Sequence, residues 1–280
     1  MPQTCILTDI TAQFQTPQFD GYEHVYYLPV QIQNNNKIQS LQSINLPVSA
    51  SIEPKPEPIP PDTNEVLSTL YQLSQKYHEI IAVLPSVHLS PSYEFITQIL
   101  TVDTNKQTPI RLIDTRTTSI GLGLLVQAAA QAAKAGLSAT EIIPHIRNLT
   151  KRVYTVFYTR NLKYLYHAGY LDPGQAVVGE MLELIPMYII DGRRLVCLRK
   201  ARNHRQMVKN LFEFIQEFEK LAHIGIIRQP QVFESVSKTL LDRLPRDFPA
   251  TKISFHHFEP SLSAVLGPQS LGLVALEAEV

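Results

Sequence analysis

Two cysteines, Cys5 and Cys197, are all that a chain of 280 residues contains. They form no CxxC, and no Cys/His set has ligand spacing, so neither a disulfide framework nor a structural zinc is expected. Scarcity of cysteine suits a reducing compartment, and a cytoplasmic location is the expectation. Net charge is missing too. Twenty-five basic residues balance 25 acidic ones, a formal charge of +0. Such a balance gives no bulk attraction to nucleic acid or to an anionic membrane surface. No apolar run reaches the roughly 20 residues that a spanning helix needs, so an integral membrane protein is not expected. The N-terminus, MPQTCILTDIT, lacks the basic-then-apolar pattern of a signal peptide. Neither GxSxG nor GxxxxGK[ST] occurs, so nothing marks a nucleophile elbow or a phosphate-cradling loop. No cofactor is called for, and no internal repeat is found.

What is present is a core. Hydrophobic residues make up 44% of the chain, enough for one large or two ordinary globular domains. Cys5-Ile6-Leu7 reads as a first strand and Tyr26 to Gln33 as a second. The stretch EPKPEPIPPD (53–62) has five prolines in ten residues, which predicts an extended segment and excludes a helix. Val66, Leu70, Leu73 and Tyr77 recur at helical spacing. Ile80–Leu84 suits a strand buried on both faces. A helix behind Ser90 and Pro91 follows. Ile110–Ile113 is a further strand, and DTRTTSIGLG (114–123) a polar turn. LLVQAAAQAAKAG (124–136) is a strong helix former, and Ser138 with Glu141 marks a capping box. Val153–Tyr158 reads as another strand of the series. Strand–loop–helix units in succession imply a parallel sheet with helices on its faces.

From about residue 159 the pattern changes. NLKYLYHAGY is a short helix stopped at Gly169. MYIIDGRRLVCL has Asp191-Gly192 between apolar runs, a hairpin signal. Residues 203–222 read as one long amphipathic helix, 230–244 as another, and Ile253–Phe258 and LGLVALEAEV as strands. The expected architecture is α/β: a Rossmann-like, mostly parallel domain (1–158) packed on an α+β domain with a mostly antiparallel sheet (159–280).

Two hydroxyl-rich loops stand just past strand ends, where open parallel sheets bind ligands. One carries Ser86, His88, Ser90 and Ser92; the other carries Thr115, Thr117, Thr118 and Ser119. Both feed helix N-termini, which suit a carboxylate or phosphate. Helix capping alone also accounts for Ser90 and Ser119. Adjacent His256 and His257 point to opposite faces of a strand, a structural pattern rather than a metal pair. Arg193, Arg194, Arg199, Lys200, Arg202 and Arg205 form a basic face, either solvated or a docking surface for an acidic partner.

Six segments in order resemble the DegV family of bacterial lipid-binding proteins. ILTDITAQF resembles its opening strand and Asp-Ser/Thr turn. SVHLSPSY resembles SSxLSGTY, and IDTRTTSIGLG resembles DSxxxSxGxG. NLKYLYHAGYL, LELIPMYIIDGRRLVCLRKARN and LGPQSLGL resemble LxYLxxGGRI, IKPIL…dG…R and HxGPGxLG. The resemblance implies two domains with a long-chain fatty acid between them. It implies a carboxylate held by a Thr of a TSQP segment and a Ser of SSxLSGTY, with an Arg of GGRI and a His of HxGPG nearby. Some members present the acid to a separate fatty acid kinase. The binding protein itself is not catalytic. Here Ser86 and Ser90 are retained, with His88 between them. The TSQP segment falls on Lys55-Pro56-Glu57-Pro58, Tyr170 stands in place of the Arg, and Val265 in place of the His. Candidate ligand-binding residues are therefore Ser86, His88, Ser90, Thr115, Ser119, Tyr170, Val265 and Lys55. Phosphotransferase relatives carry a phosphoacceptor His after the first strand, where this chain has Thr8-Asp9, which counts against phosphoryl transfer. The leading expectation is a non-catalytic carrier of a long-chain fatty acid or similar single-chain lipid. The alternatives are an enzyme on a small polar substrate in the same cleft, and a degenerate member without ligand.

Overall fold

The computed structural model describes residues 4–34, 37–41, 56–102, 108–191 and 194–279. The chain begins with β1 (Thr4–Asp9), β2 (Val25–Leu28), β3 (Gln31–Asn34), β4 (Lys37–Ser40) and β5 (Glu57–Ile59). It continues through α1 (Thr63–Lys76), β6 (Glu79–Leu84), α2 (Ser92–Val102), β7 (Ile110–Asp114), α3 (Ser119–Lys134) and α4 (Ala139–Thr150). Next come β8 (Val153–Thr159), α5 (Leu162–His167), α6 (Pro173–Met181), β9 (Ile185–Asp191), β10 (Arg194–Ala201) and α7 (His204–Ile215). The chain closes with β11 (Leu221–Arg228), α8 (Glu234–Asp247), β12 (Lys252–His257), α9 (Pro260–Leu266) and β13 (Ser270–Glu277).

A four-stranded parallel sheet runs β2-β1-β6-β7, and a six-stranded sheet runs β10-β9-β8-β13-β11-β12. The larger sheet is antiparallel except for its β11–β12 pair. A small antiparallel sheet, β4-β3-β5, holds part of the proline-rich segment in the extended form that its composition demands. This is the α/β architecture expected, a parallel layer joined to a mostly antiparallel one.

The apolar run of β6 is buried because helices cover both faces of its sheet. Ile81 and Val83 pack with Ile6 against α3 and α4; Ile80, Ala82 and Leu84 pack with Cys5 and Leu7 against α1 and α2. The larger sheet repeats the logic. Val156, Tyr158, Ile224 and Ile226 face Met207, Leu211, Val236 and Leu240 of α7 and α8. Its other face, with Phe157, Tyr188 and Ile227, meets Leu89 and Ile120 from the first layer, together with Leu162, Val265 and Leu266. Strand residues two apart share a face, so one continuous apolar strand serves two cores.

Three expectations need correction. Val153–Tyr158 does not extend the parallel series; β8 pairs antiparallel with β9 and β13 in the larger sheet. A strand buried on both faces looks the same in either sheet, and the sequence spacing carried no sign of the difference. Helix 203–222 ends at Ile215, and β11 begins at Leu221. Phe218 lies beyond the helix, against Tyr154 at 4.8 Å between ring centroids. The turn 114–123 is shorter than expected, because α3 already starts at Ser119. Its glycines are there for close approach. A Cβ at Gly123 would lie 1.7 Å from the Gln13 carbonyl oxygen. Helices α6 and α9 and strand β11 went unread in the sequence.

His256 is buried and His257 exposed, on opposite faces as expected. His256 Nε2 shares a hydrogen bond of 2.6 Å with Ser254 Oγ, which shares another of 2.7 Å with His223 Nε2.

Two outcomes follow from this packing. Gly123→Ala forces backbone atoms apart, so chemical denaturation should show a loss of about 2 kcal/mol or more. Burial, with neighbouring Lys252 for His223 and with His223 and His257 for His256, holds both buried imidazoles down to about 4. The unfolded chain binds these protons near 6.5, so the pair's contribution is complete above that pH and is lost as pH falls towards 4. Replacing both by Gln should therefore flatten the acid side of the stability profile. The variant minus wild-type difference isolates the pair from other titrating groups. An unchanged difference across that window would contradict the assignment.

Candidate functional site

The carboxyl ends of β1, β6 and β7 meet the second layer at one edge, and the two hydroxyl-rich loops lie there. They are tied together by backbone: Ser86 N donates to the Thr117 carbonyl at 2.8 Å, and Thr115 N donates to the Leu84 carbonyl at 3.1 Å. Thr117 reaches across to the larger sheet, sharing a 2.7 Å hydrogen bond with Thr155.

Asp9, at the end of β1, is the anchor of the first loop. It is fully buried. Its Oδ1 accepts from Thr11 N at 3.0 Å and from the Thr11 hydroxyl. Its Oδ2 accepts from Ser92 Oγ at 2.8 Å and Ser90 Oγ at 3.2 Å. Burial raises its pKa above the ordinary carboxylate value, against the donors that hold the charged form. Ser90 Oγ also accepts weakly from Ser92 N at 3.3 Å, so Ser90 both opens α2 and clamps Asp9. Nearby, Gln13 Nε2 donates to Glu259 Oε1 at 2.9 Å and to the His257 carbonyl at 2.8 Å, joining the two layers. Burial, then the charge of Asp9, pushes the Glu259 carboxyl up to about 7.

Beside this cage lies a cavity of about 600 Å³. Its walls are residues 56–58 with β5, residues 87–91 with Glu94, the end of α5 with Tyr170, and Ala264 and Val265 of α9. Of the residues singled out in the sequence, His88, Ser90, Tyr170 and Val265 come together on its lining. Ser86 sits immediately behind, almost wholly buried, where its Oγ accepts from His88 N at 3.3 Å. Thr115 and Ser119 are not on the lining. The Thr115 hydroxyl donates to the Leu84 carbonyl at 2.8 Å, and the buried Ser119 hydroxyl has no hydrogen-bond partner among the described residues. Lys55 lies outside the described residues. Tyr170 closes one side of the cavity: its hydroxyl donates to the His88 carbonyl at 2.5 Å, and the two rings meet edge to face at 5.8 Å. Burial, and secondarily the Glu94 carboxylate, pushes the Tyr170 phenol up to about 12.

Sequence reasoning missed Asp9, Thr11 and Ser92 as the cage. The signal was the Asp-x-Thr spacing after β1, an Asx turn in which the carboxylate takes its own chain's N–H two residues on. Within the basic face, Arg199 pairs with Glu213 and with Glu217, the latter at 2.9 Å, so part of that charge is neutralised locally. Among the described residues no three His, Cys, Asp or Glu side chains group to hold a metal ion, and no helix is long and apolar enough to cross a membrane.

A family model described as "Uncharacterised protein, DegV family" matches residues 3–278. A DegV domain-containing protein of Staphylococcus aureus (strain COL) is 26% identical over 221 residues, spanning 78% of this chain and 77% of that protein. Among solved structures, a fatty acid binding DegV family protein from Streptococcus agalactiae superposes with a TM-score of 0.83 at 20% identity, over 100% of both chains. The fatty acid kinase B3 protein of Streptococcus pneumoniae, loaded with linoleic acid, gives 0.79 at 17% identity, over 99% of this chain and 100% of that one. These structural matches carry the fold.

The cage has a measurable consequence. Ser92→Ala removes a donor to a buried carboxyl and should destabilise the protein by about 1–3 kcal/mol, the range for hydrogen bonds to ionisable groups. Ser86→Ala, whose Oγ makes only the long contact to His88 N, should cost well under half of that. Equal losses in a denaturation series would show that Asp9 is not what Ser92 serves.

Proposed function

The chain belongs to the DegV family, and from that premise we propose that it is a non-catalytic binding protein for a long-chain fatty acid or a similar single-chain lipid. The observation that carries this reading is the cavity between the two layers. Its volume of about 600 Å³ is that of a ligand site. Its walls combine apolar Val87, Leu89, Pro91, Ala264 and Val265 with polar His88, Ser90, Glu57 and Glu94. A buried methylene is worth about 0.8 kcal/mol, so ten of them supply about 8 kcal/mol, micromolar affinity before any head-group contact.

We assign the head-group end to Ser86, His88 and Ser90, with Tyr170 and Val265 opposite, and give Thr115 and Ser119 the role of bracing the loop behind. Support for a carrier rather than an enzyme comes from the hydroxyls themselves. Ser90 and Ser92 are held by the Asp9 carboxyl, and the Ser254 hydroxyl, though flanked by two imidazoles, is not on the cavity lining. The structural relative loaded with linoleic acid is described as part of a fatty acid kinase. We extend that role here: a separate kinase subunit receives the lipid from this protein in the cytoplasm. We further propose two domains, with the boundary moved from 158/159 to just before β8, a placement supported by the pairing of β8 with β9 and β13.

Mass spectrometry of the denatured purified protein should release about one single-chain lipid per chain, and added lipid should raise the melting temperature of stripped protein. Ala264→Phe, which fills the cavity from α9, should abolish that shift while the unliganded melting curve stays cooperative. Stripped protein that shows no shift with any single-chain lipid would end the carrier reading.

A further inference from the structure

Two carboxyls meet at the seam between the layers, one from each side. Asp9, at the end of β1, is fully buried, and Glu259, just before α9, is partly buried. Each is tied to one wall of the cavity. Asp9 Oδ2 accepts from Ser90 Oγ at 3.2 Å, and Ser90 lines the cavity from the first layer. Glu259 precedes the first residue of α9, whose Ala264 and Val265 line the cavity from the second. Gln13 spans the seam. Its Nε2 gives both protons to the second layer, to Glu259 Oε1 at 2.9 Å and to the His257 carbonyl at 2.8 Å, while its backbone N–H holds the Ser119 carbonyl of the first at 3.1 Å. The two carboxyls differ in what parting the layers would do to them. The donors to Asp9 are Thr11, Ser90 and Ser92, all of the first layer, so its cage would stay whole. Glu259 takes its hydrogen bond from across the seam and would pass into water.

With the layers closed, an ionised Glu259 is poorly solvated and feels the charge of Asp9; a protonated one escapes both penalties. No neighbouring cation offsets this among the described residues. His257 is exposed and offers only its carbonyl, the His256 ring is held by Ser254, the His88 ring faces Tyr170, and the Arg228 guanidinium lies over the Phe255 ring at 6.0 Å. We propose that Asp9, Glu259 and Gln13 form a proton-dependent clasp: the layers close over the cavity with Glu259 protonated and part when it ionises, so that a bound lipid is held at lower pH and released as pH rises. Burial, then the charge of Asp9, holds the Glu259 carboxyl up at about 7, against an ordinary value of 4.5. The closed state therefore binds the proton more tightly than the open one. Its advantage is complete below 4.5 and is lost as pH rises through about 7. The consequence for a lipid rests on the carrier reading; the opening of the seam does not.

The test follows a fluorescent single-chain lipid leaving loaded protein for phosphatidylcholine vesicles, by stopped flow, between about pH 6 and pH 8. Taking the ratio of wild type to Glu259→Gln at each pH cancels the ionisation of the lipid itself. That ratio of release rates should rise about tenfold across the range, the span expected of a carboxyl that titrates near 7 when closed and near 4.5 when open. Gln13→Ala, which removes the bridge, should release lipid faster than wild type at every pH. In the unliganded protein, hydrogen exchange in residues 260–267, corrected for its intrinsic pH dependence, should speed up over the same range in wild type and not in Glu259→Gln. A Glu259→Gln protein with the pH dependence of wild type overturns the proposal, and so does a Gln13→Ala protein that releases lipid no faster. If no lipid loads, the carrier reading has failed and exchange alone decides on the clasp: the same pH dependence in both proteins sinks it, and a difference confined to wild type upholds it.

Discussion

Two sheets press on opposite sides of α3, and nearly all of its first two turns is buried: Ser119 to Gly123, then Leu125 and Val126. Leu122, Leu125, Val126 and Ala129 fill the core under the parallel sheet. Ile120 points the other way, into the core beneath the larger sheet, and a Cβ on Gly225 of β11 would come within 2.5 Å of it. A helix gripped on two sides cannot carry large side chains all round. Glycine in a helix interior costs about 1 kcal/mol relative to alanine, and the chain accepts that at Gly123 because any larger residue would meet the Gln13 backbone. The same segment then fixes the loops. Gln13 N donates to the Ser119 carbonyl, and Thr117, just before the helix, accepts from Ser86 N of one loop and shares a hydrogen bond with the Thr155 hydroxyl of the other sheet. The geometry of the two hydroxyl-rich loops is a consequence of how tightly α3 is held.

The second constraint is a buried charge site. Asp9 is surrounded by donors from its own turn and from the loop after β6. A buried carboxyl without such partners would be costly, and Ser90 and Ser92 have their place for that reason. Anchoring them positions the residues between Ser86 and Ser90, including the His88 carbonyl that Tyr170 meets from the second layer. Hydroxyls that from spacing alone read as ligand groups are thus first structural groups.

Much of this was legible in the sequence. The double-sided burial of Ile80–Leu84, the capping box at Ser138 and the hairpin around Asp191 each follow from local patterns with one structural solution. The parallel series, β8 apart, and the α3 helix followed from such patterns, and six motif segments in order carried the family resemblance. What was not legible is of a different kind. β8 is apolar on both faces, and only its partners say which sheet it joins. β11, LAHIGIIR, lies so close behind an amphipathic helix that its start was absorbed into the helix, although Gly225 and the β-branched residues around it mark a strand. The contact of Tyr170 with His88 joins residues 82 apart in sequence, and no periodicity predicts it. The loop after β6 lies on the cavity lining, with His88 and Ser90. The sequence did not distinguish Ser90, on the wall, from Ser86, Thr115 and Ser119, which are not on the lining.

On the proposed carrier reading, holding an alkyl chain and reading a head group obey different rules. Tail binding depends on apolar area, so it tolerates substitutions that keep volume. Val265 and Ala264 on α9 add to that area. Head-group selection depends on whether a few desolvated groups find partners, and each unmatched one subtracts from affinity. Tyr170 illustrates the difference. It extends the apolar wall with its ring and links the two layers with its hydroxyl, yet it brings no positive charge. The architecture itself is fixed by α3 and Asp9, and neither of them lies on the cavity lining.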